Sequence, residues 1–198
     1  MRATPRRAVF LDRDGTICEE LGYLNHLRRF HLFSFSAATI RRLNRKGIPV
    51  VVVTNQSGVS RGFFPERLVR AVHRRMNAVL RRGGARVDGI YYCPHEKKHR
   101  CQCRKPRPGM LRQAARDLNL QLRGSWLVSD RYDDIAMARR VGARGALVLT
   151  GYGRGESQWN RRKWPSPPDL VAEDLAEAVA RILAKWERED SRLRKQRR

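Results

Sequence analysis

No apolar run in this sequence is long enough to cross a bilayer. The longest clean one, Ile48 to Val53, falls far short of the roughly 18 residues that a span needs. The N-terminus, MRATPRRAVF, lacks the apolar core and small-residue cleavage site of a signal peptide and leads straight into a strand-like segment. The expectation is therefore a cytoplasmic protein. Cysteine is sparse, with only Cys18, Cys93, Cys101 and Cys103. Three of these cluster with His95, which argues against a disulfide framework and for a metal site in a reducing compartment. Acidic residues are few as well: 19 Asp and Glu stand against 43 Lys and Arg, a formal net charge of +24. Such a surface attracts phosphorylated ligands, nucleic acids and anionic membranes. The cations are spread along the whole chain, so charge alone does not choose among these partners.

The chain has 198 residues, of which 41% are apolar, enough for one domain with a buried sheet. Strand-like and helix-like segments alternate. Strands are expected at Ala8–Leu11, Ile48–Val53, Gly89–Tyr92, Trp126–Val128 and Gly145–Leu149. Helices are expected at Ser36–Lys46 (with Ser36 as a cap), from Pro65 to the Gly83-Gly84 stop, at Pro108–Leu118 and at Asp133–Val141. A last helix is expected to carry Leu170, Val171, Leu175, Val179, Ile182, Leu183 and Trp186 at three- and four-residue spacing. This is an α/β pattern that predicts a parallel sheet with helices on both faces and ligands beyond the C-terminal strand ends. Residues 1–153 form the expected core, residues 154–190 a loop and terminal helix of the same domain, and residues 191–198 a disordered basic tail.

The chemistry-bearing residues fall at the strand ends. Asp12 and Asp14, in Asp-Arg-Asp-Gly-Thr, place two carboxylates after the first strand. One can attack phosphorus as a nucleophile while the other serves the leaving group and then water. A divalent cation is needed to offset their charge towards an anionic substrate. Asp12, a backbone oxygen at Asp14, and Asp130 after the fourth strand form a plausible oxygen set for Mg²⁺. Asp133 or Asp134 is expected to cap the following helix. The second strand ends in Thr54, Asn55, Gln56 and Ser57, whose hydroxyl and amide groups can bond phosphate oxygens. Arg104 and Lys105 precede a Pro-initiated helix and can balance phosphoryl charge. Cys93, His95, Cys101 and Cys103 make a closed set for a structural Zn²⁺, with His99 as a substitute ligand, while Cys18 reads as a packed residue.

Together the stretches FLDRDGTI, VVVTNQSGVSRGFF and CPHEKKHRCQCRKPRPGML resemble the haloacid dehalogenase superfamily. Within it they are similar to the D-glycero-D-manno-heptose 1,7-bisphosphate phosphatase family and the related histidinol-phosphatase domain. The resemblance spans roughly residues 6 to 153. It implies a Rossmann-like core with a minimal cap, Asp12 as nucleophile and Asp14 as general acid/base. It also implies Thr54 and Lys105 on the phosphoryl group, and Mg²⁺ on Asp12, Asp14 and Asp130. By the same mapping Asn55 and Ser57 line the pocket beside Gln56, Arg104 reads the distal group of the substrate, and Arg131 stands where the family usually has Lys. Ser129 occupies a position that is usually Gly. The five residues between His95 and Cys101 match histidinol-phosphatase spacing, whereas Leu21–Leu24 and the loop after Thr54 look more like the heptose enzymes.

The expected activity is Mg²⁺-dependent removal of the 7-phosphate from heptose bisphosphate by a monomer, a step towards lipopolysaccharide. Histidinol phosphate and a DNA 3′-end phosphate are the alternative substrates. A zinc-stabilised basic module that binds nucleic acid without catalysis is the alternative of another class. It is disfavoured because carboxylates aimed at a polyanion would serve no purpose there.

Overall fold

Residues 4–196 are described by the structure, a computed structural model. The first expected strand forms as β1 (Val9–Leu11), three consecutive buried apolar residues. It pairs in parallel with β2 (Val50–Asn55) on one side and β4 (Trp126–Ser129) on the other. β3 (Gly89–Cys93) extends the sheet beyond β2, and β5 (Arg144–Val148) and β6 (Leu170–Ala172) extend it beyond β4. The order is therefore β3-β2-β1-β4-β5-β6, parallel throughout. The chain runs outward from β1 one way and then, from β4, the other. That reversal opens a crevice beyond the C-terminal ends of β1 and β4, where ligands bind in sheets of this kind.

Alternation along β1 shows how the sheet is covered. Val9 and Leu11 join a cluster built from α1 (Ser36–Arg45), α2 (Glu66–Arg82) and the terminal helix, while Phe10 joins one built from α3 (Gly109–Asp117) and α4 (Tyr132–Arg139). Helices thus lie on both faces, and strands with two buried faces need the near-continuous apolar runs seen in the sequence.

Three expectations give way. Ser36 is the first residue of α1 rather than its cap. Its hydroxyl donates to Ile17 O at 2.6 Å, tying the helix to the loop after β1. Leu170 and Val171 form β6 instead of opening the terminal helix. The true start is marked by Asp174, whose Oδ1 accepts from Glu177 N at 2.9 Å, while Glu177 Oε2 accepts from Glu173 N at 2.8 Å. The first bond satisfies an amide left free at the helix N-terminus, and the second ties the residue before the cap to the first turn. Between β5 and β6 the chain makes a one-turn helix, α5 (Gly153–Gly155), followed by a wider turn at Glu156–Asn160. The terminal helix α6 (Leu175–Gln196) then continues through most of the expected disordered tail, of which residues 197 and 198 lie outside the described residues. Its buried face includes Val179, Ile182, Leu183 and Trp186, and the Trp186 indole donates to Gly124 O at 3.0 Å. No helix among the described residues is long and apolar enough to cross a membrane.

Candidate active site

The end of β1 sets the geometry. The Asp12 amide donates to Val128 O at 2.9 Å, carrying the sheet ladder one residue past the strand. The chain then folds tightly, with the amides of Thr16, Ile17 and Cys18 all donating to Arg13 O at 3.3, 2.9 and 3.2 Å. This turn brings Asp12 and Asp14 onto one cavity of about 480 Å³.

Two glycines, one in this turn and one in the loop after β5, let the backbone approach Asp130. Gly15 sits at φ +74°, where a Cβ would lie 2.1 Å from Asp130 Oδ2. Gly151, in the loop after β5, sits at φ +53°, and its Cβ would lie 2.3 Å from the same oxygen. Only glycine tolerates both the backbone and the approach. Thr150 Oγ1 donates to Gly15 O at 2.5 Å, and Tyr152 N donates to Asp130 Oδ2 at 2.8 Å. The loops after β1 and β5 thus clasp the Asp130 carboxylate between them.

The other strand ends complete the cavity. Thr54, Asn55, Gln56 and Ser57 line it, as do Arg104, Lys105 and Arg131. Asp130 stands behind the wall, almost wholly buried. Gln56 Nε2 donates to both Asp14 Oδ2 and Thr54 Oγ1, each at 2.9 Å. The Asn55 side chain is held by Lys105: its Nδ2 donates to Lys105 O at 3.2 Å and its Oδ1 accepts from Lys105 N at 3.1 Å. Arg104 Nη1 donates to His95 O at 2.8 Å, and the Arg131 guanidinium lies 3.6 Å over the Tyr152 ring.

Electrostatics centre on Lys105, whose Nζ is 2.7 Å from Asp12 Oδ2 and 2.6 Å from Asp134 Oδ2. Burial disfavours its charge, but the two carboxylates outweigh burial and hold the ammonium above its usual pKa. Asp134 also accepts from Ser129 Oγ at 2.8 Å. It therefore anchors the lysine, and neither Asp133 nor Asp134 caps α4 through its side chain, contrary to expectation. Burial pushes Asp12 up to about 7; Lys105 pulls it down while Asp134 and Asp130 push it further up. Burial likewise raises Asp130 to about 7 against the stabilising Tyr152 N–H bond. Glu20, on the cavity wall, is raised to about 6 by burial and then by Asp14. Among the described residues, Asp12, Asp14, Asp130 and Asp134 thus face two buried cations, Lys105 and Arg13. A surplus of carboxylate oxygen at one cavity suits a hard divalent cation.

The loop after β3 gathers a second donor set. The ligand atoms of Cys93, His95, Cys101 and Cys103 lie within 4.8 Å of one another. Cys101 Sγ is 3.6 Å from Cys93 Sγ and 3.4 Å from Cys103 Sγ, and His95 Nδ1 is 3.6 and 3.4 Å from Cys93 and Cys103. A tetrahedral zinc with bonds of about 2.3 Å spaces its sulfurs roughly 3.8 Å apart, so the set is close to the required size. His99, the alternative ligand, is turned elsewhere: its Nδ1 accepts from Glu96 N at 3.1 Å. Downstream of this knot the same loop supplies Arg104, Lys105 and Pro106 to the cavity wall.

The sequence pattern did not single out Arg13, Glu20 or Tyr152, and it offered Asp134 only as a helix cap. The position of Arg13 between two aspartates was a usable signal. Glu20 and Tyr152 carry none, because only the tertiary fold turns them towards the cavity.

Known proteins are similar to this chain in sequence and fold. The polynucleotide kinase 3 phosphatase family model matches residues 8–131, and a haloacid-dehalogenase hydrolase-like model matches residues 102–178. The chain is 38% identical over 178 residues to a D-glycero-beta-D-manno-heptose-1,7-bisphosphate 7-phosphatase from Pseudomonas putida, covering 89% of this chain and 99% of that protein. It is 36% identical to the enzyme of the same name from Haemophilus ducreyi, covering 88% and 97%. Among solved structures, D,D-heptose 1,7-bisphosphate phosphatase from B. bronchiseptica, complexed with magnesium and phosphate, superposes with a TM-score of 0.83. The two are 34% identical, and the match covers 90% of this chain and 99% of that one.

Proposed function

Because this chain belongs to the haloacid-dehalogenase-like hydrolases, and within them to the heptose 1,7-bisphosphate 7-phosphatase family, it is a phosphatase, and we propose that it removes the 7-phosphate of D-glycero-D-manno-heptose 1,7-bisphosphate through an aspartyl-phosphate on Asp12. The observation that carries this reading is the convergence of Asp12, Asp14 and Lys105 on one cavity. The substrate is taken from relatives named for it that are 36% to 38% identical. The proposed setting is the cytoplasm, in keeping with four free cysteines, and the proposed working unit is a monomer.

In the first step an Asp12 oxygen attacks the 7-phosphoryl group and forms a P–O bond as the bond to the sugar C7 oxygen breaks. Asp14 gives its proton to that departing oxygen. In the second step Asp14 takes a proton from water, the water oxygen attacks the same phosphorus, and the bond to Asp12 breaks to release phosphate. Lys105, pinned by Asp134, balances charge on the transferring group, and Thr54 and Ser57 offer hydroxyls to its oxygens. Arg104, Arg131 and Lys97 line the outer cavity, where a second phosphate would sit. Mg²⁺, held by Asp12, Asp130 and the Asp14 backbone, would supply further charge neutralisation at the phosphoryl group.

The test is phosphate release from heptose bisphosphate anomers, histidinol phosphate and a 3′-phosphorylated oligonucleotide, with Mg²⁺ and with EDTA. Preferential, Mg²⁺-dependent turnover of a heptose bisphosphate is expected. The polynucleotide phosphatase model match makes the oligonucleotide the telling competitor. Faster turnover of that substrate, falling steeply with salt, would overturn the sugar assignment.

For the loop we propose a structural Zn²⁺ on Cys93, His95, Cys101 and Cys103. One zinc per chain by elemental analysis is expected. Cys103→Ser should lower zinc content and the melting temperature and, through Lys105 two residues on, turnover. Full zinc occupancy in that variant would remove Cys103 from the ligand set.

A further inference from the structure

Arg13 has no part in the chemistry above, yet its side chain is only 1% exposed and fully engaged. Its Nε donates to Asp14 Oδ1 at 3.0 Å, and its Nη2 donates to Asp14 Oδ1 and Oδ2 at 2.8 Å each. The remaining nitrogen, Nη1, lies 3.2 Å from Nε2 of His73, in the middle of α2. A guanidinium has donors only, so Nε2 must accept and the ring proton must sit on Nδ1. The imidazole is buried and set edge-on against Tyr92, with ring centroids 5.3 Å apart, and the Tyr92 hydroxyl donates to Glu66 Oε1 at 2.5 Å. Burial, and then the Arg13 charge, push His73 down to about 3, which keeps it an acceptor at working pH. A bland reading is available, in which His73 merely fills the core. It does not account for the ring nitrogen being directed at the one guanidinium that grips Asp14.

We propose that His73 is a positioning residue for the phosphatase reaction: by accepting from Arg13 Nη1 it fixes the guanidinium plane, and that plane aims the Asp14 carboxylate at the leaving oxygen. This inference rests on Asp14 acting as the general acid/base. The fork between Arg13 and Asp14 is rigid only if the guanidinium cannot swing, and a planar donor fork transmits its orientation directly to a carboxylate. Small misplacement of a proton-transfer group costs rate while leaving substrate affinity alone, because the group acts in the transition state.

The experiment compares His73→Leu, which removes the acceptor, with His73→Gln, which can present a carbonyl oxygen to Arg13. Both are made in the parent chain and in an Arg13→Met background. His73→Leu is expected to lower kcat about tenfold at unchanged KM, and His73→Gln by about threefold or less. In the Arg13→Met background His73→Leu should cause no further loss, since residues acting through one another are not additive. Parental kcat in His73→Leu, equal losses in both variants, or additive losses with Arg13→Met would each overturn the proposal. Ring ¹⁵N NMR of the parent chain gives an independent reading that needs no turnover. A neutral, Nδ1-protonated His73 from pH 8 to pH 5 is expected, whereas an Nε2–H tautomer or protonation near an ordinary value of about 6.5 sinks the contact itself. A parent chain that hydrolyses no phosphate ester would sink the reading of the site, while turnover indifferent to His73→Leu would sink this inference alone.

Discussion

Asp12→Asn is expected to reduce phosphate release by roughly 10⁴-fold or more, the scale seen when a covalent nucleophile is removed. The amide keeps the shape of the carboxylate but is no nucleophile towards phosphorus. The loss should be read as chemical rather than structural, because Lys105 keeps Asp134 at 2.6 Å and so remains paired. The Arg13 amide, 2.7 Å from Asp12 Oδ1, can still donate to the Asn oxygen. Single-turnover assays with a labelled phosphate ester, alongside thermal unfolding, check both halves. Retention of more than a few per cent of the parental rate would move the nucleophile elsewhere. Loss of the folded state would show that Asp12 holds the structure as well as the chemistry.

Lys105→Met should act on stability and rate together. The ammonium sits between Asp12 and Asp134, and with it gone two buried carboxylates face each other unpaired. Breaking a buried ion pair by removing one partner destabilises by about 3–5 kcal/mol. For a chain of this size each kcal/mol lowers the melting temperature by about 2–4 °C. Losing a charge-balancing donor at the phosphoryl group should lower kcat by roughly 10²- to 10³-fold. Adding Asp134→Asn separates the two effects. With one fewer negative charge in the pocket, much of the stability should return, but the rate should not. If the double variant recovers rate as well, Lys105 serves the fold and not the reaction.

Much of this arrangement was legible in the residues. β1, β2 and the other inner strands are short apolar runs that end where polar motifs begin, so the strand ends and the motif positions report on each other. Asp12, Asp14, Thr54 and Asp130 were expected because sheets of this class place ligands at the strand ends, and the structure brings Asp12, Asp14 and Thr54 onto one cavity with Lys105 from the loop after β3. The zinc-type cluster was legible from spacing alone. β6 was missed because Leu170 and Val171 happen to extend the three-and-four spacing of α6. The deciding feature was polar, the bonds that Asp174 and Glu177 accept from the amides of Glu177 and Glu173. Asp134 was misassigned because an acid in the first turn of a helix ordinarily caps it. Only the distance to Lys105, which is far away in the chain, shows that it serves as a counter-ion. Glu20 and Tyr152 were beyond reach, since no local pattern says which way a loop residue turns.

The clasp around Asp130 bears on how the enzyme can vary. Gly15, Thr150, Gly151 and Tyr152 hold that carboxylate largely through backbone atoms and absent side chains. Residues 150–152 lie outside the strand-end motifs read from the sequence, yet they wall the Asp130 carboxylate as closely as the aspartate loop does. In a saturation map of the chain Gly151 and the neighbouring Gly153, where a Cβ would overlap Val148 O, should stand out as intolerant, whereas Tyr152, which contributes only its backbone amide, should accept most residues except proline. The room around the proposed cation site is thereby tied to a loop that supplies none of its expected ligands.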